Sequence, residues 1–302
     1  NAHRFLQIVK PELAVFVKYE YWYHHLSGLS ARGIPVLLVS ALFRADAVFF
    51  KWYGGFYRKI LFLFRQLFVQ DEASLQRLTN AGIGHASVGG DTRFDRVSRI
   101  ASEAQDLPLI RGFAQSGPLL VAGSTWPDDD RMLAEAVAGK DLRLIIAPHE
   151  ITPAHLQLLS TLFPRSVRYS ELEGGKNAES GVLVIDNIGM LSRLYRYGSI
   201  AYIGGGFNKS GIHNTLEAAV WGKPVLFGPN YSKFREAREL IGRGAAFSMA
   251  TAGELREKLE ELMGDVQIME TAGAAAGDYV RSNTGATERI MNYIQANRLL
   301  TR

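Results

Sequence analysis

A chain of 302 residues with 47% hydrophobic, 11% aromatic and 21% charged residues has a globular composition and room for two domains, which excludes disordered, collagenous and coiled-coil classes. It contains no cysteine, so a disulfide framework, a thiolate zinc site and a cysteine nucleophile are excluded, and the cytoplasm is the default expectation. The net charge of +4 is too mild for a nucleic-acid coat, and much of the excess is local: five basic residues face one acidic residue between Arg44 and Gln70.

No stretch reaches the roughly 20 apolar residues that a spanning helix requires, and no signal-peptide pattern opens the chain. A soluble or peripheral chain is expected. The opening Asn1-Ala2-His3-Arg4 lacks an initiator methionine and runs straight into helical spacing at Phe5, Ile8 and Val9. The expectation is a chain cut from something longer.

In chain order, short apolar β-branched runs at 13–17, 35–40, 67–70 and 87–89 alternate with amphipathic stretches. A second series follows at 119–122, 142–147, 182–185, 200–203 and 224–227. Strands apolar on both faces and separated by helices predict parallel sheets of βαβ units, an α/β fold. The polar stretch with Pro108, Gly112 and Gly117, ahead of a fresh strand at Leu119, predicts a domain break. The division expected is a partial first domain over 1–106, with about four strands, and a complete second domain over 107–285, with about six. The polar Ser282-Asn283-Thr284-Gly285 sets off a terminal helix over 286–302, expected to return to the first domain.

The stretch most suggestive of chemistry joins Gly204-Gly205-Gly206 at the end of a strand to His213-Asn214-Thr215-Leu216-Glu217. Glycines let a backbone approach a ligand, and a helix starting at His213-Asn214 would offer free N–H groups to an anion. An ordinary β–turn–α connection uses glycines in the same way; it is the His-Asn-x-x-Glu that shifts the balance toward a binding site. If Glu217 lies one turn after His213 on the same helix face, it can accept hydrogen bonds from a ribose diol. The glycine spacing and late position do not fit a dinucleotide fingerprint.

Three further turns follow strands. Asp186-Asn187-Ile188-Gly189 predicts a helix capped by Asn187, Gly123-Ser124-Thr125-Trp126-Pro127 sets hydroxyls just before a proline at the first helical position, and Ala147-Pro148-His149-Glu150 carries a histidine. Each has a structural explanation when taken alone. All four lie at the carboxyl ends of strands, where doubly wound sheets bind ligands.

Earlier in the chain, Lys18-Tyr19-Glu20-Tyr21-Trp22 follows a strand, and Glu20 among aromatics is either a carboxylate that contacts a sugar or a helix-start carboxylate favoured by the dipole. The run FFKWYGGFYRKILFLFRQLF over 49–68 is apolar yet basic. If 56–68 is one helix, it suits an anionic membrane surface or, equally, a buried helix with outward-reaching cations. No metal-ligand spacing and no serine-histidine-acid signature stands out.

These residues resemble the lipid A Kdo transferases (3-deoxy-D-manno-octulosonic acid transferases), and the match runs in order over nearly the whole chain. Lys18-Tyr19-Glu20-Tyr21-Trp22 looks like the family's Glu-x-x-Trp segment, Val69-Gln70-Asp71-Glu72 like its Val-Gln-(Thr/Ser)-Glu, and Gly90-Asp91-Thr92-Arg93-Phe94-Asp95 like its Gly-Asn-x-(Lys/Arg)-Phe-Asp. Ala122-Gly123-Ser124-Thr125, Gly204-Gly205, His213-Asn214-x-x-Glu217 and Gly222-Lys223-Pro224-Val225-x-x-Gly228-Pro229 complete it, the last two being the most specific. The chain departs from the family at Ala147-Pro148-His149, where Pro-Arg-His is common, at Trp126, where histidine is common, and at Ala218, where proline is usual.

The resemblance implies a GT-B glycosyltransferase, two Rossmann-like parallel-sheet domains facing a cleft, with the first one truncated. It implies transfer of Kdo from CMP-Kdo, without a cofactor, metal or nucleic acid, to a lipid A precursor at the cytoplasmic face of the inner membrane, the chain being peripheral or anchored through a missing N-terminus. The family's membrane-anchoring start and first loop, with its catalytic glutamate, match nothing in this chain, so an inactive fragment with Glu20 in a supporting role is the expectation. Donor-binding residues implied are Ser124, Thr125, His149, Asn187, Ile188, Gly189, Gly204, Gly205, Gly206, His213, Asn214 and Glu217. The alternatives are another GT-B enzyme using a UDP-sugar, such as a non-hydrolysing epimerase, and a catalytically silent nucleotide- or lipid-binding module.

Overall fold

The computed structural model describes residues 2–115, 117–176 and 181–300. Asn1 and the last two positions of the expected terminal helix, Thr301 and Arg302, lie outside the described residues. The chain divides into two units, residues 1–96 with 283–302, and residues 97–282.

The first unit holds a parallel four-stranded sheet in the order β1 (Ala14–Val17), β2 (Val36–Ala41), β3 (Gln66–Val69) and β4 (Ala86–Val88). Every residue of β2 is buried, as parallel strands covered on both faces require. Its side chains alternate. Val36 and Leu38 enter a core with Leu26, Leu61, Leu67 and Leu78, while Leu37 and Val39 meet Ile290 and Ile294 of the helix Ala286–Ala296. The edge strand β1 alternates instead between half-buried and exposed positions, leaving Val15 and Val17 open.

The motif Gly90-Asp91-Thr92-Arg93-Phe94-Asp95 ties this unit together. The Asp95 carboxylate accepts the N–H groups of Gly285 and Thr287, each at 2.6 Å, which caps the terminal helix and satisfies donors that the helix leaves unpaired. Gly285 has φ +95°, a conformation glycine adopts without strain. Arg289 donates to the Gly89 carbonyl at 2.7 Å. Asp91, nearly fully buried, pairs with Arg93 at 2.8 Å and Lys18 at 3.7 Å.

The aromatic run is no single helix over 56–68. A helix covers Gly55–Leu61 only, and β3 then begins at Gln66. Ile60, Leu61, Phe64, Leu67 and Phe68 are buried, while Trp52, at 92% exposure, stands open with Tyr53, Phe56, Tyr57 and Phe62. The reversal has a local cause: the apolar density needed to bury β3 on both faces follows a short helix whose outer face stays free. The opening helix Ala2–Val9 likewise buries Leu6 and leaves Phe5, Ile8 and Val9 exposed. Among the described residues no helix is long and apolar enough to cross a membrane.

The second unit holds a seven-stranded parallel sheet in the order β11-β10-β9-β5-β6-β8-β7. The strands are β5 (Leu119–Thr125), β6 (Arg143–Pro148), β7 (Val167–Arg168), β8 (Val182–Val184), β9 (Ile200–Ile203), β10 (Val225–Phe227) and β11 (Ala246–Ser248). Leu120, Leu144, Ile146, Ile200 and Leu226 from the strands pack against Leu133, Leu159, Leu255 and Leu259 from the helices. Two of the seven strands, β7 and β11, two and three residues long, correspond to none of the five apolar runs of this unit. After β5 the chain builds outward on one side and then returns to build the other from β9, so the strand order reverses between β5 and β9. At such a switch point the loops beyond the carboxyl ends part and open a crevice.

Candidate functional site at the switch point of the second sheet

Near its carboxyl end β5 turns sharply at Ser124, whose φ is +55°, an uncommon backbone region for a residue with a side chain. Pro127 then opens the helix Pro127–Val137 at the position where its missing N–H is harmless. In the first turn of that helix Asp129 is fully buried and its carboxylate joins two loops. Oδ2 accepts the N–H of Trp126 at 2.9 Å and that of Gly205 at 2.8 Å, and Oδ1 accepts the Tyr202 hydroxyl at 2.7 Å. Burial pushes this carboxyl above its ordinary pKa, and the bonds from Gly205, Tyr202 and Trp126 oppose the shift.

The loops after β5, β6 and β9 are also joined through their backbones. His149 donates to the Thr125 carbonyl at 2.9 Å, Gly204 to Gly123 at 2.9 Å, and His213 to Gly204 at 3.1 Å. A Cβ on Gly204 would stand 2.2 Å from the Ser124 oxygen, one on Gly205 2.7 Å from the Gly211 oxygen, and one on Gly206 2.4 Å from the Gly228 Cα. Close approach explains all three glycines, and the chain that approaches is the protein's own.

Three aromatic rings gather here. The Trp126 and His213 ring planes are nearly parallel, 7° apart, and the Trp126 Nε1–H donates to His213 Nε2 at 3.0 Å. His149 stacks across both, its centroid 4.8 Å from Trp126 and 4.3 Å from His213. Burial holds His213 below its ordinary pKa, with His149 adding to the effect.

The helix expected to start at His213-Asn214 begins later and is short, Leu216–Ala219. His213 and Asn214 precede it in extended loop, so Glu217 is not one helical turn beyond His213. Asn214 nevertheless reaches Glu217: its Nδ2 donates to Oε1 at 3.1 Å, while its Oδ1 accepts the Leu216 N–H at 3.2 Å. The helix expected after Asn187 begins only at Leu191, preceded by Met190. Gly189 adopts φ +96°, and Asn187, Ile188 and Gly189 form an exposed turn, Ile188 at 93%. Asp186, which leads into that turn, takes its hydrogen bonds from Ser170 instead. An asparagine side chain can bond nearby backbone in place of a helical turn, as Asn214 does with the Leu216 N–H.

The structure therefore brings Thr125, His149, Gly204, Gly205 and His213 together through Trp126 and Asp129, with Ser124 and Gly206 adjoining them, while Asn214 and Glu217 bond to each other just beyond His213. The turn 187–189 stands apart at the end of β8, two strands from β5 in the sheet order. Glu20 belongs to the first unit, exposed after β1. Asp129 and Tyr202 escaped the reading of the sequence; the spacing Trp126-Pro127-x-Asp129 was the available signal, since a carboxylate three residues after an N-cap is a capping-box position. Among the described residues no group of histidine and carboxylate side chains could hold a metal.

Residues 1–96 match the family model described as 3-Deoxy-D-manno-octulosonic-acid transferase (kdotransferase). A 3-deoxy-D-manno-octulosonic acid transferase of Bordetella pertussis is 28% identical over 97% of this chain and 71% of its own length. One from Rickettsia bellii is 25% identical over 86% of this chain, which spans 63% of that relative. Among solved structures, the C-terminal CMP-Kdo binding domain of WaaA from Acinetobacter baumannii superposes with a TM-score of 0.50 at 19% identity, covering 61% of this chain and 96% of that one. The S. aureus MnaA-UDP co-structure superposes with a TM-score of 0.66 at 16% identity, covering 100% of this chain and 80% of that one. At such identities the structures speak for the fold alone, two parallel-sheet α/β units of the GT-B kind. The ordered motifs and the named relatives agree: the chain is similar to the 3-deoxy-D-manno-octulosonic acid transferases along nearly its whole length.

Proposed function

We infer that the chain takes part in Kdo transfer in lipopolysaccharide biosynthesis, holding CMP-Kdo for transfer of its Kdo to a lipid A precursor. The observation that carries this reading is the bonded set at the switch point, where Asp129 and the backbone hold Thr125, His149, Gly204–Gly206 and His213 together, in a chain whose relatives bear the Kdo transferase name. CMP occupies this set, with its ribose on Glu217 and its phosphate near the Ser124 and Thr125 hydroxyls, the His213 side chain and the Gly206 N–H. The Asn214 bond holds the Glu217 carboxylate in place.

The reaction is a direct displacement with inversion. An acceptor hydroxyl oxygen bonds to the anomeric carbon of Kdo, the bond from that carbon to the phosphate oxygen breaks, and CMP departs with the electron pair. A carboxylate takes the hydroxyl proton, Glu20 acting in support, and N–H donors around the phosphate stabilise the charge that grows on it. Asn187, Ile188 and Gly189 sit further along the same sheet edge and fit contacts to the sugar better than to the phosphate. The exposed Trp52, Tyr53, Phe56, Tyr57 and Phe62, with Lys59 and Arg65 beside them in sequence, suit an anionic membrane surface and support the reading of a protein peripheral to, or anchored at, the cytoplasmic face of the inner membrane.

Calorimetry with CMP, UMP and UDP tests the reading. CMP should bind at least about tenfold more tightly than UMP or UDP, a difference of about 1.4 kcal/mol. Equal affinities, or a preference for UDP, would move the chain to the enzymes that use UDP-sugars.

A further inference from the structure

The Trp126–His213 pair fixes more than a position. An indole nitrogen only donates, so the bond of 3.0 Å from Trp126 Nε1 to His213 Nε2 requires Nε2 to carry a lone pair. A neutral imidazole with an unprotonated Nε2 carries its proton on Nδ1. The other neutral tautomer, or an imidazolium, would set N–H against N–H. The two ring planes are parallel to within 7°, and the His149 ring stacked against both restrains rotation of either one. Gly205 completes the fit: a Cβ there would stand 3.0 Å from His213 Cδ2 and 3.3 Å from Nε2. Among the described residues Nδ1 has no protein acceptor, and His213 is half-buried at the mouth of the switch point.

We propose that Trp126 is a positioning residue that fixes His213 as the Nδ1–H tautomer, making Nδ1–H a donor to a phosphate oxygen of the bound nucleotide. The proposal rests on the reading of the switch point as the CMP site. Its consequence is specific: the histidine arrives with the proton already on the nitrogen that faces no protein acceptor, and no tautomer change is needed when the anion binds.

Nitrogen-15 NMR of the imidazole side chains, with His213 assigned through H213Q, reads the tautomer directly in the free protein. The parent should show His213 as Nδ1–H at neutral pH, and W126F, which keeps a ring in the stack and removes the N–H, should show a mixed or Nε2–H population. In parallel, calorimetry with CMP and with cytidine separates the phosphate from the nucleoside. W126F should weaken CMP roughly tenfold, the size of one hydrogen bond to a charged group, and leave cytidine unchanged.

A parent His213 found as Nε2–H or as imidazolium overturns the proposal before any variant is made. So does a W126F protein that keeps the Nδ1–H tautomer, or one that loses CMP and cytidine equally, since a purely structural tryptophan would act on both. A parent with the Nδ1–H tautomer that binds no CMP overturns the CMP reading and the phosphate role with it, while the tautomer result upholds the Trp126–His213 coupling.

Discussion

The Asp129 carboxylate accepts the backbone N–H of Gly205 at 2.8 Å while the same oxygen holds the N–H of Trp126 at 2.9 Å. One buried side chain thus sets the spacing between the loop after β5 and the loop after β9. Replacing Asp129 by alanine leaves two buried N–H groups and the Tyr202 hydroxyl without their acceptor. Each unmet group costs about 1–3 kcal/mol, so D129A should lose at least about 2 kcal/mol in urea unfolding and bind CMP more weakly. A loss below about 1 kcal/mol with unaltered CMP affinity would show that the carboxylate does not hold the loops.

The Glu217 carboxylate gives a more local test. Hydrogen bonds to a charged group contribute about 1.5–3 kcal/mol, so E217A should weaken CMP about 10- to 100-fold. Stability should change little, because Glu217 is only half-buried and its bond from Asn214 is local. Unchanged CMP affinity in the folded variant would remove Glu217 from the ribose.

A second buried pair links helices of the same unit and titrates. His155 Nε2 lies 2.5 Å from Asp130 Oδ2, and His155 Nδ1 lies 3.1 Å from the Glu150 carbonyl. The Asp130 bond raises the His155 pKa above its ordinary value, against the opposing effect of burial. A raised folded pKa adds stability that is complete below the unfolded value, about 6.5, and is lost as pH rises through the folded value. The stability difference between parent and H155Q should therefore be larger at pH 6 than at pH 9. Urea midpoints at the two pH values check this, and a difference that is flat or grows with pH would contradict it.

The exposed aromatic surface predicts vesicle binding. Arg58 is a poor target, since its Nη1 holds the Phe49 and Lys51 carbonyls at 2.9 and 3.1 Å. Lys59 and Arg65 are exposed, and each basic residue near an anionic surface is worth about 1 kcal/mol. Reversing both to glutamate should abolish low-salt sedimentation with vesicles containing anionic lipid, and W52A should weaken it. Sedimentation unaffected by either change would leave the surface without a membrane role.

Much of this architecture was legible because burial on both faces leaves a direct mark: the nine apolar runs all became parallel strands, the fully buried β2 among them. The two short strands, β7 and β11, correspond to none of these runs. Composition misled at 56–68, where aromatic density reflected an exposed helix face followed by the buried β3. At the site, the glycines and His213-Asn214-Thr215-Leu216-Glu217 could be found from their spacing, yet two helix starts could not. Asn187 and His213 both sit in loops, and the His213 N–H bonds the Gly204 carbonyl across its loop instead of entering a helix. Asp129 was no more legible, since its partners Tyr202 and Gly205 are 73 and 76 residues away.

The most direct test of the account is the structure of this chain with CMP bound. The account predicts the ribose hydroxyls within hydrogen-bond distance of Glu217 and the phosphate beyond the carboxyl ends of β5 and β9, within reach of His213 Nδ1. A nucleotide bound elsewhere on the second unit, or one whose ribose avoids Glu217 while the phosphate turns away from His213, would contradict it.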